Sequence, residues 1–498
     1  MNVADKLLPY QVQPFEKLRD GFKNGLQCQV DFSDTGTGKT YVAAAVAADL
    51  CLPVLVVCPY SVKSSWVAAA EHFEDEISVV NYESLITGHS GFGCWQNQAI
   101  VDQRRPSFLV CSTCQKKFRT ELELGNPCQY HPTGIHCVER KTESIDYGKF
   151  LWHSAVENVW FDEVHRCSGL ESLNAEALIA AKREGRRILG ISATAAWSPL
   201  KMRALGYALD LHGGDKPLLA KRGVFTYERA PDFFGWSRKF GCRRHPAFRG
   251  WHWMAGERQQ RAIMSEISGL ILPSRGVRVR VADVVGFPKV SVHPRLFDLP
   301  ESPDRATDES LAILDERAGD PELWSEVTKR LRARQRSELL AVSTIADLAQ
   351  DKLDVGCSVA IFVNFSQTLD ELGKRFGITS FVDGRTVGAK RDHILGQFRG
   401  GKERLLLLNS AAGGVGVSLD SDPGAFSVGY GIVLPGEDAV VFSQVLGRLP
   451  RQGGQEFSIY EIFLVAGIQE KVYRNLKRKC ANIEALRQTV TDEDLTGD

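Results

Sequence analysis

The sequence predicts an α/β protein built from two doubly wound, parallel-sheet lobes, with an inserted metal module and a helical linking subdomain. Three observations carry this expectation. Continuous apolar runs such as Val54–Cys58 and Ile77–Val80 alternate with helical patterns, as strands covered on both faces require. The alternation stops near Thr87, resumes at Val156–Phe161 and Arg187–Ile191, and returns between Ser358 and Leu408. A glycine-rich stretch, Ser33–Thr40, stands between an extended run (Leu26–Phe32) and an alanine-rich helical run (Tyr41–Leu50).

That stretch, Ser33-Asp34-Thr35-Gly36-Thr37-Gly38-Lys39-Thr40, has the make-up of a phosphate-binding loop. Gly36 and Gly38 let backbone amides curl round a polyphosphate, with Thr35 and Thr37 between them, and the helix N-terminus adds its positive dipole end. Lys39 can reach the β and γ oxygens and Thr40 can ligate Mg²⁺. Ser33 stands where the usual pattern has glycine. Some 25 residues upstream, Gln11 opens a helix continued by Phe15, Leu18 and Phe22, and its amide has the donor and acceptor that reading an adenine edge requires.

The chain has 498 residues, enough for about three domains of roughly 150 each. The expected divisions are a first lobe at 1–215, interrupted by an insertion at 88–150, then a helical linking subdomain at 216–340. A second lobe at 341–482 and an acidic, disordered tail at 483–498 complete the chain. Lys plus Arg (61) equals Asp plus Glu (61), so a nucleic-acid surface would have to come from local patches. No leader pattern or membrane-length apolar run is present, which points to a cytoplasmic setting, or a nuclear one in a eukaryote.

Twelve cysteines are scattered, with a dense cluster from Cys111 to Cys137. Within it, Cys111-x₂-Cys114 and Cys128-x₂-His131 form two knuckles suited to tetrahedral Zn²⁺, with His136 and Cys137 as rivals for the fourth place. Four protein ligands leave no open position, so a structural role is expected. The string Cys128-Gln129-Tyr130-His131-Pro132 resembles the zinc modules of the CHORD family, which favours His131.

The strand at Val156–Phe161 ends in Asp162-Glu163-Val164-His165. Paired carboxylates at a strand's carboxyl end beside a phosphate loop suit Asp162 to Mg²⁺ and Glu163 to the attacking water, with His165 as a relay. Ser192-Ala193-Thr194 follows the next strand and offers hydroxyls for that link. Further on, Phe233, Phe234, Trp236, Phe240, Phe248, Trp251 and Trp253 are interleaved with Arg238, Lys239, Arg243, Arg244 and Arg249. The rings read better as a small core and the arginines as solvent- or phosphate-facing. In the second lobe, the glycine turn around Gly416 permits close approach to either a phosphate or a nucleic-acid strand. Gln444–Gly453 then places Arg448 and Arg451 three apart on one helix face, as arginine fingers would need.

In this order the segments resemble superfamily 2 helicases and translocases, whose two RecA-like domains clamp one ATP. Gln11 matches their adenine-reading glutamine, Ser33–Thr40 their first motif, Asp162–His165 their DExH box and Ser192–Thr194 their SAT motif. The segment from Phe240-Gly241-Cys242 to Phe287-Pro288, with Arg275, Arg278 and Arg280, and the Gln444–Gly453 region resemble Swi/Snf-type ATPases, nearest the annealing-helicase branch. Ala195 and Pro450 stand where the family commonly has proline and histidine. The resemblance implies a DNA-dependent ATPase, using ATP and Mg²⁺, that translocates on duplex or branched DNA as a monomer in replication, recombination or repair. A phage or bacterial source and a replication or repair protein partner on the zinc module are further expectations. Two rivals remain: an RNA or single-strand unwinding helicase, and an ATP-binding nucleic-acid clamp with little turnover.

Overall fold

Strands Cys28–Asp31, Val54–Cys58 and Asn158–Asp162 are buried at every position, the polar Gln29, Asp31, Asn158 and Asp162 included. The computed structural model describes residues 2–101, 108–111, 117–118, 138–141, 144–170, 172–213, 216–219, 225–228, 231–244, 250–297, 323–378, 381–386, 388–413, 419, 421–422, 424–450, 455–465 and 467–487. The first sheet is wholly parallel. Its six strands run, in spatial order, Gly276–Val277, Cys28–Asp31, Arg187–Ile191, Asn158–Asp162, Val54–Cys58 and Ile77–Asn81.

Helices cover both faces. Phe15, Leu18 and Phe22 of helix Pro9–Lys23 and Ala43–Ala47 of helix Lys39–Leu50 pack with Val54, Val56, Trp160 and Leu189 on one side. Alanines let that second helix lie close to the sheet. The alternate strand residues, Val30, Leu55, Val57, Val159, Phe161 and Ile188, face a second core that includes Leu178 and Met202. Gln11 shares the helical spacing of Phe15, Leu18 and Phe22, so it is carried inward with them and is buried.

The second sheet is parallel throughout, in the order Lys289–Phe297, Phe457–Val465, Val428–Val433, Ser358–Val363 and Leu405–Asn409. It too has a core on each face, one around Phe362, Leu408 and Ile462, the other around Ile361, Leu407 and Phe463. All strands of each sheet therefore send their carboxyl ends to a single edge, where loops can meet a ligand.

Residues 216–340, expected as a helical linker, do more than link. Helix Pro231–Lys239 buries Phe233 and Trp236 in the first-lobe core, joined by Phe240, while Trp251 and Trp253 lie half-buried on a short hairpin. Helix Glu257–Arg275 then leads into Gly276–Val277 and, after a crossing, Lys289–Phe297: the outer strands of both sheets. Hydrogen bonding to a free sheet edge decides their place, and helical patterning cannot report it. Phe248 and Arg249 lie outside the described residues.

The tail also begins later than expected. Helix Ile468–Arg487 seats Val472, Leu476 and Ile483 in the second-lobe core and Ala485 and Leu486 in the first-lobe core. Residues 483–487 thus form a strut between lobes, buried except at Glu484. At 88–150, Gly93–Val101 pairs with Ser144–Trp152, and Phe108–Cys111 pairs with two short strands. Cys111 is placed only as strand backbone; Cys114, Cys128, His131, His136 and Cys137 lie outside the described residues. Among the described residues no helix is long and apolar enough to cross a membrane.

Gly431 shows how tightly the second core is set. A Cβ there would stand 2.5 Å from a Tyr460 ring carbon. Gly431→Ala is expected to destabilise the second lobe by about 1–3 kcal/mol through overpacking, read as a lowered urea midpoint.

Candidate active site in the interlobe cleft

The phosphate loop follows strand Cys28–Asp31 and turns through Gly36 and Gly38, at φ +92° and +80°, into helix Lys39–Leu50. These left-handed angles are why glycine is needed at both positions. The loop is stitched along its length: Lys39 Nζ donates to the Ser33 and Asp34 carbonyls at 3.0 Å each, and Thr37 Oγ1 donates to Asp34 O at 2.8 Å. Ser33 earns its place by accepting the Val279 amide on Oγ at 2.9 Å, a bond glycine could not make.

Gln11 is turned on to this loop. Its Nε2 donates to Thr37 O at 3.0 Å and its Oε1 accepts the Leu8 amide at 3.0 Å. A Cβ at Gly38 would stand 2.1 Å from Gln11 Nε2, so glycine there also makes room for the amide. Each amide end keeps one further donor or acceptor position.

Asp162 and Glu163 end the strand two places across the sheet from Cys28–Asp31. Asp162 is pinned: Oδ2 accepts Trp66 Nε1 at 2.8 Å, Oδ1 accepts the Glu163 amide at 2.9 Å, and its carbonyl accepts Tyr82 Oη at 2.9 Å. Glu163 adopts φ +54°, a left-handed conformation costing a non-glycine residue about 1–2 kcal/mol. Such strain persists where surroundings fix it.

Glu163 Oε2 lies 3.1 Å from His165 Nδ1 and accepts Ser192 Oγ at 3.2 Å. Ser192 Oγ also lies 3.1 Å from His165 Nδ1, and the Thr194 amide donates to it at 3.1 Å. Asp162–His165 and Ser192–Thr194 therefore form one network. Burial raises the Glu163 carboxyl, but the His165 hydrogen bond and the charges of His165, Lys39 and Arg448 outweigh it and hold Glu163 below the usual carboxylate range. Burial, then the Glu163 charge, push Asp162 above its ordinary value. The two neighbours are driven apart, one to hold charge and the other to want a cation.

The second lobe reaches this site. A Cβ on Gly447 would stand 2.7 Å from Thr35 Cβ, so the two backbones meet at the phosphate loop. Next to it, Arg448 is 4% exposed and its charge bears on Glu163. Tyr460 holds this segment, its hydroxyl donating to Val445 O and accepting the Leu449 amide, both at 3.0 Å. Gln444 is 1% exposed, and neither amide atom has a hydrogen-bond partner among the described residues. Arg451 and Gly416 lie outside the described residues. Thr40 stands in the first turn of the loop's helix, half-buried. Among the described residues no group of three His, Cys, Asp or Glu could hold a metal.

Comparison with known proteins bears on this cleft. Residues 5–196 match the family model described as type III restriction enzyme, res subunit. A protein of Acanthamoeba polyphaga mimivirus, named as an ATP-dependent RNA helicase, is 24% identical over 490 residues, covering 94% of this chain and 80% of that protein. The chain is a helicase-type ATP hydrolase. Among solved structures, S. cerevisiae Dbp5 bound to RNA and ADP–BeF3, in unsubstituted and point-mutant forms, aligns over 96% of this helicase and 92% of the other chain. The TM-score is 0.42, at 10% and 11% identity.

Several residues that shape the helicase cleft carry no local signal in the sequence. Trp66 and Tyr82 reach Asp162 across 96 and 80 positions. Tyr460 and Gly447 act through contacts that only packing creates. Because Gly447 has φ −96°, alanine suits its backbone, and the Cβ clash with Thr35 is the sole obstacle. Gly447→Ala is expected to lower ATP turnover by about tenfold, equivalent to about 1.4 kcal/mol, with the unfolding midpoint nearly unchanged. Steady-state kinetics beside thermal unfolding checks this.

Proposed function

We propose that the chain is a nucleic-acid-dependent motor whose two lobes close over one ATP, with translocation on duplex or branched DNA as its work. The observation that carries this reading is the close approach of Gly447 of the second lobe to Thr35 of the first, beside which the charge of Arg448 acts on Glu163. A site completed by both lobes ties hydrolysis to their opening and closing.

In this reading Thr35–Thr40 cradle the phosphates, Lys39 leaves the loop carbonyls for the β and γ oxygens, and Gln11 turns its remaining amide capacity toward adenine. Thr40 and Asp162 would hold Mg²⁺, which would neutralise phosphate charge. The donor set fits: Asp162 is buried, and its raised pKa would be relieved by a divalent cation. Glu163, kept ionised, takes the proton of the attacking water, and His165 with Ser192 and Thr194 holds it in place. Arg448, with Arg451, meets charge developing on the γ-phosphate, and the unpartnered Gln444 amide suits the same oxygens.

Nucleic acid is the partner this reading requires. A cavity of about 440 Å³ between the lobes supports one contact: it is lined by Trp197, Trp251, Trp253, Lys201, Arg478 and Lys479. Among the described residues its lining contains no carboxylate. Indoles with cations suit bases and phosphates, and phosphate contact alone gives salt-sensitive, sequence-independent binding. A structural Zn²⁺ on Cys111, Cys114, Cys128 and His131 belongs to the same proposal; metal analysis should find one zinc per chain, lost on Cys128→Ser. A second reading, work on RNA, is supported by the mimiviral relative, which is named as an RNA helicase.

The deciding experiment is ATP turnover measured with forked, Holliday-junction, linear-duplex and single-stranded DNA and with RNA. Duplex or branched DNA is expected to stimulate most; stronger stimulation by RNA would transfer the conclusion to the second reading. Glu163→Gln should bind ATP yet lose stimulated hydrolysis by about 10²–10⁴-fold. Equal turnover in that variant would exclude Glu163 as the base.

A further inference from the structure

Asp34 places an acidic side chain in the phosphate loop. Its carboxylate stands in the loop expected to hold a triphosphate, and like charges at short range oppose binding. Two cations answer it. Arg487 forms an ion pair with Asp34 Oδ1, and Arg278 Nη2 lies 3.6 Å from the same oxygen. The second oxygen, Oδ2, accepts the Val281 amide at 3.0 Å. On its main-chain side, the Asp34 carbonyl accepts Lys39 Nζ at 3.0 Å and Thr37 Oγ1 at 2.8 Å. One residue thus joins the arginines to the groups that shape the loop.

The arginines come from distant parts of the chain. Arg278 follows the edge strand Gly276–Val277, and Arg487 ends helix Ile468–Arg487, which begins in the second lobe. Arg487 Nε also donates to Phe32 O at 3.1 Å, just before the loop. Arg278 Nη1 donates to Arg487 O at 2.7 Å and its Nη2 to Glu484 Oε1 at 2.6 Å, clamping the helix end. The side chains of Arg487 and Arg278 are only 10% and 6% exposed. The helix is further tied by Asn482 Nδ2, which donates to Gln260 Oε1 at 3.0 Å.

We propose that Arg487 is a positioning residue for ATP, fixing through Asp34 the loop that carries Lys39, so that docking of the second lobe's last helix and binding of the triphosphate favour each other. This rests on the reading of the cleft as an ATP site formed by both lobes. Linkage makes the coupling reciprocal: bound ATP must hold the helix end as strongly as the docked helix holds ATP. Removing Arg487 alone leaves Asp34 short of counter-charge beside the triphosphate, whereas removing both charges leaves no such defect.

The test uses the full chain as wild type, Arg487→Ala, Arg487→Lys, Asp34→Asn and the double variant Asp34→Asn/Arg487→Ala. It measures KM and kcat for ATP and the Kd of a fluorescent ATP analogue. Arg487→Ala is expected to raise KM and Kd about tenfold while kcat at saturating ATP stays within about twofold, and lysine should restore part of the loss. The double variant should return to within about threefold of Asp34→Asn. Unchanged KM and Kd in Arg487→Ala, or losses in the double variant that simply multiply, would overturn the proposal. Hydrogen exchange over 468–487 adds a second readout: ATP should slow it in wild type and not in Arg487→Ala, and equal slowing in both would also overturn it. A wild-type chain that binds the analogue without turning over ATP would strike at the hydrolytic reading instead, and the Kd values would still decide the role of Arg487.

Discussion

Parallel pairing in both sheets is the constraint on which the rest depends. Parallel strands need crossover helices on their faces, and this brings every strand's carboxyl end to one edge. In the first lobe that edge carries Ser33–Thr40, Asp162–His165 and Ser192–Thr194, three segments far apart in the chain and adjacent in space. Their positions follow from strand order, with Arg187–Ile191 lying between Cys28–Asp31 and Asn158–Asp162. Side-chain hydrogen bonds then refine what pairing has brought together.

The electrostatics of the cleft follow from shared burial. Asp162 and Glu163 are consecutive carboxylates, and two equal charges so close could not both be easily held away from water. The chain separates them by environment. Glu163 is given His165 and Ser192 as partners and Lys39 and Arg448 as counter-charges, while Asp162 hydrogen-bonds to the neutral donors of Trp66 and its own neighbour's amide and shares only the Lys39 charge, which burial and the Glu163 charge outweigh. Part of this balance comes from the second lobe, because Arg448 belongs to it. The same is true of Asp34, whose partner Arg487 ends a helix begun in that lobe.

Much of the first-lobe site was legible because its segments are continuous. Glycines at left-handed positions, a lysine and threonine at a helix start, and paired acids at a strand end each announce their chemistry locally. Gln11 was legible as a residue but not in its contacts: the helical face that buries Phe15, Leu18 and Phe22 also turns its amide on to Thr37. The linking segment and the tail were misjudged for a common reason. Gly276–Val277 is two residues long, too short for any periodicity, and exists as a strand only because Cys28–Asp31 offers it a free edge. The last five helical residues looked like the start of a polar tail, yet Leu486 and Arg487 find an apolar seat and an acidic partner in the other lobe.

By itself the sequence determined the α/β class and the two-lobed, parallel-sheet plan, and it named candidate groups for a triphosphate, since these depend on local pattern and residue chemistry. Tertiary structure alone decided which groups share a charge environment. The approach of Gly447 to Thr35, the pinning of Asp162 by Trp66 and the pairing of Arg487 with Asp34 join positions 96 to more than 400 residues apart. Such contacts depend on how elements pack, within the first lobe for Trp66 and Asp162 and between the lobes for the other two, and packing leaves no periodic trace along the chain.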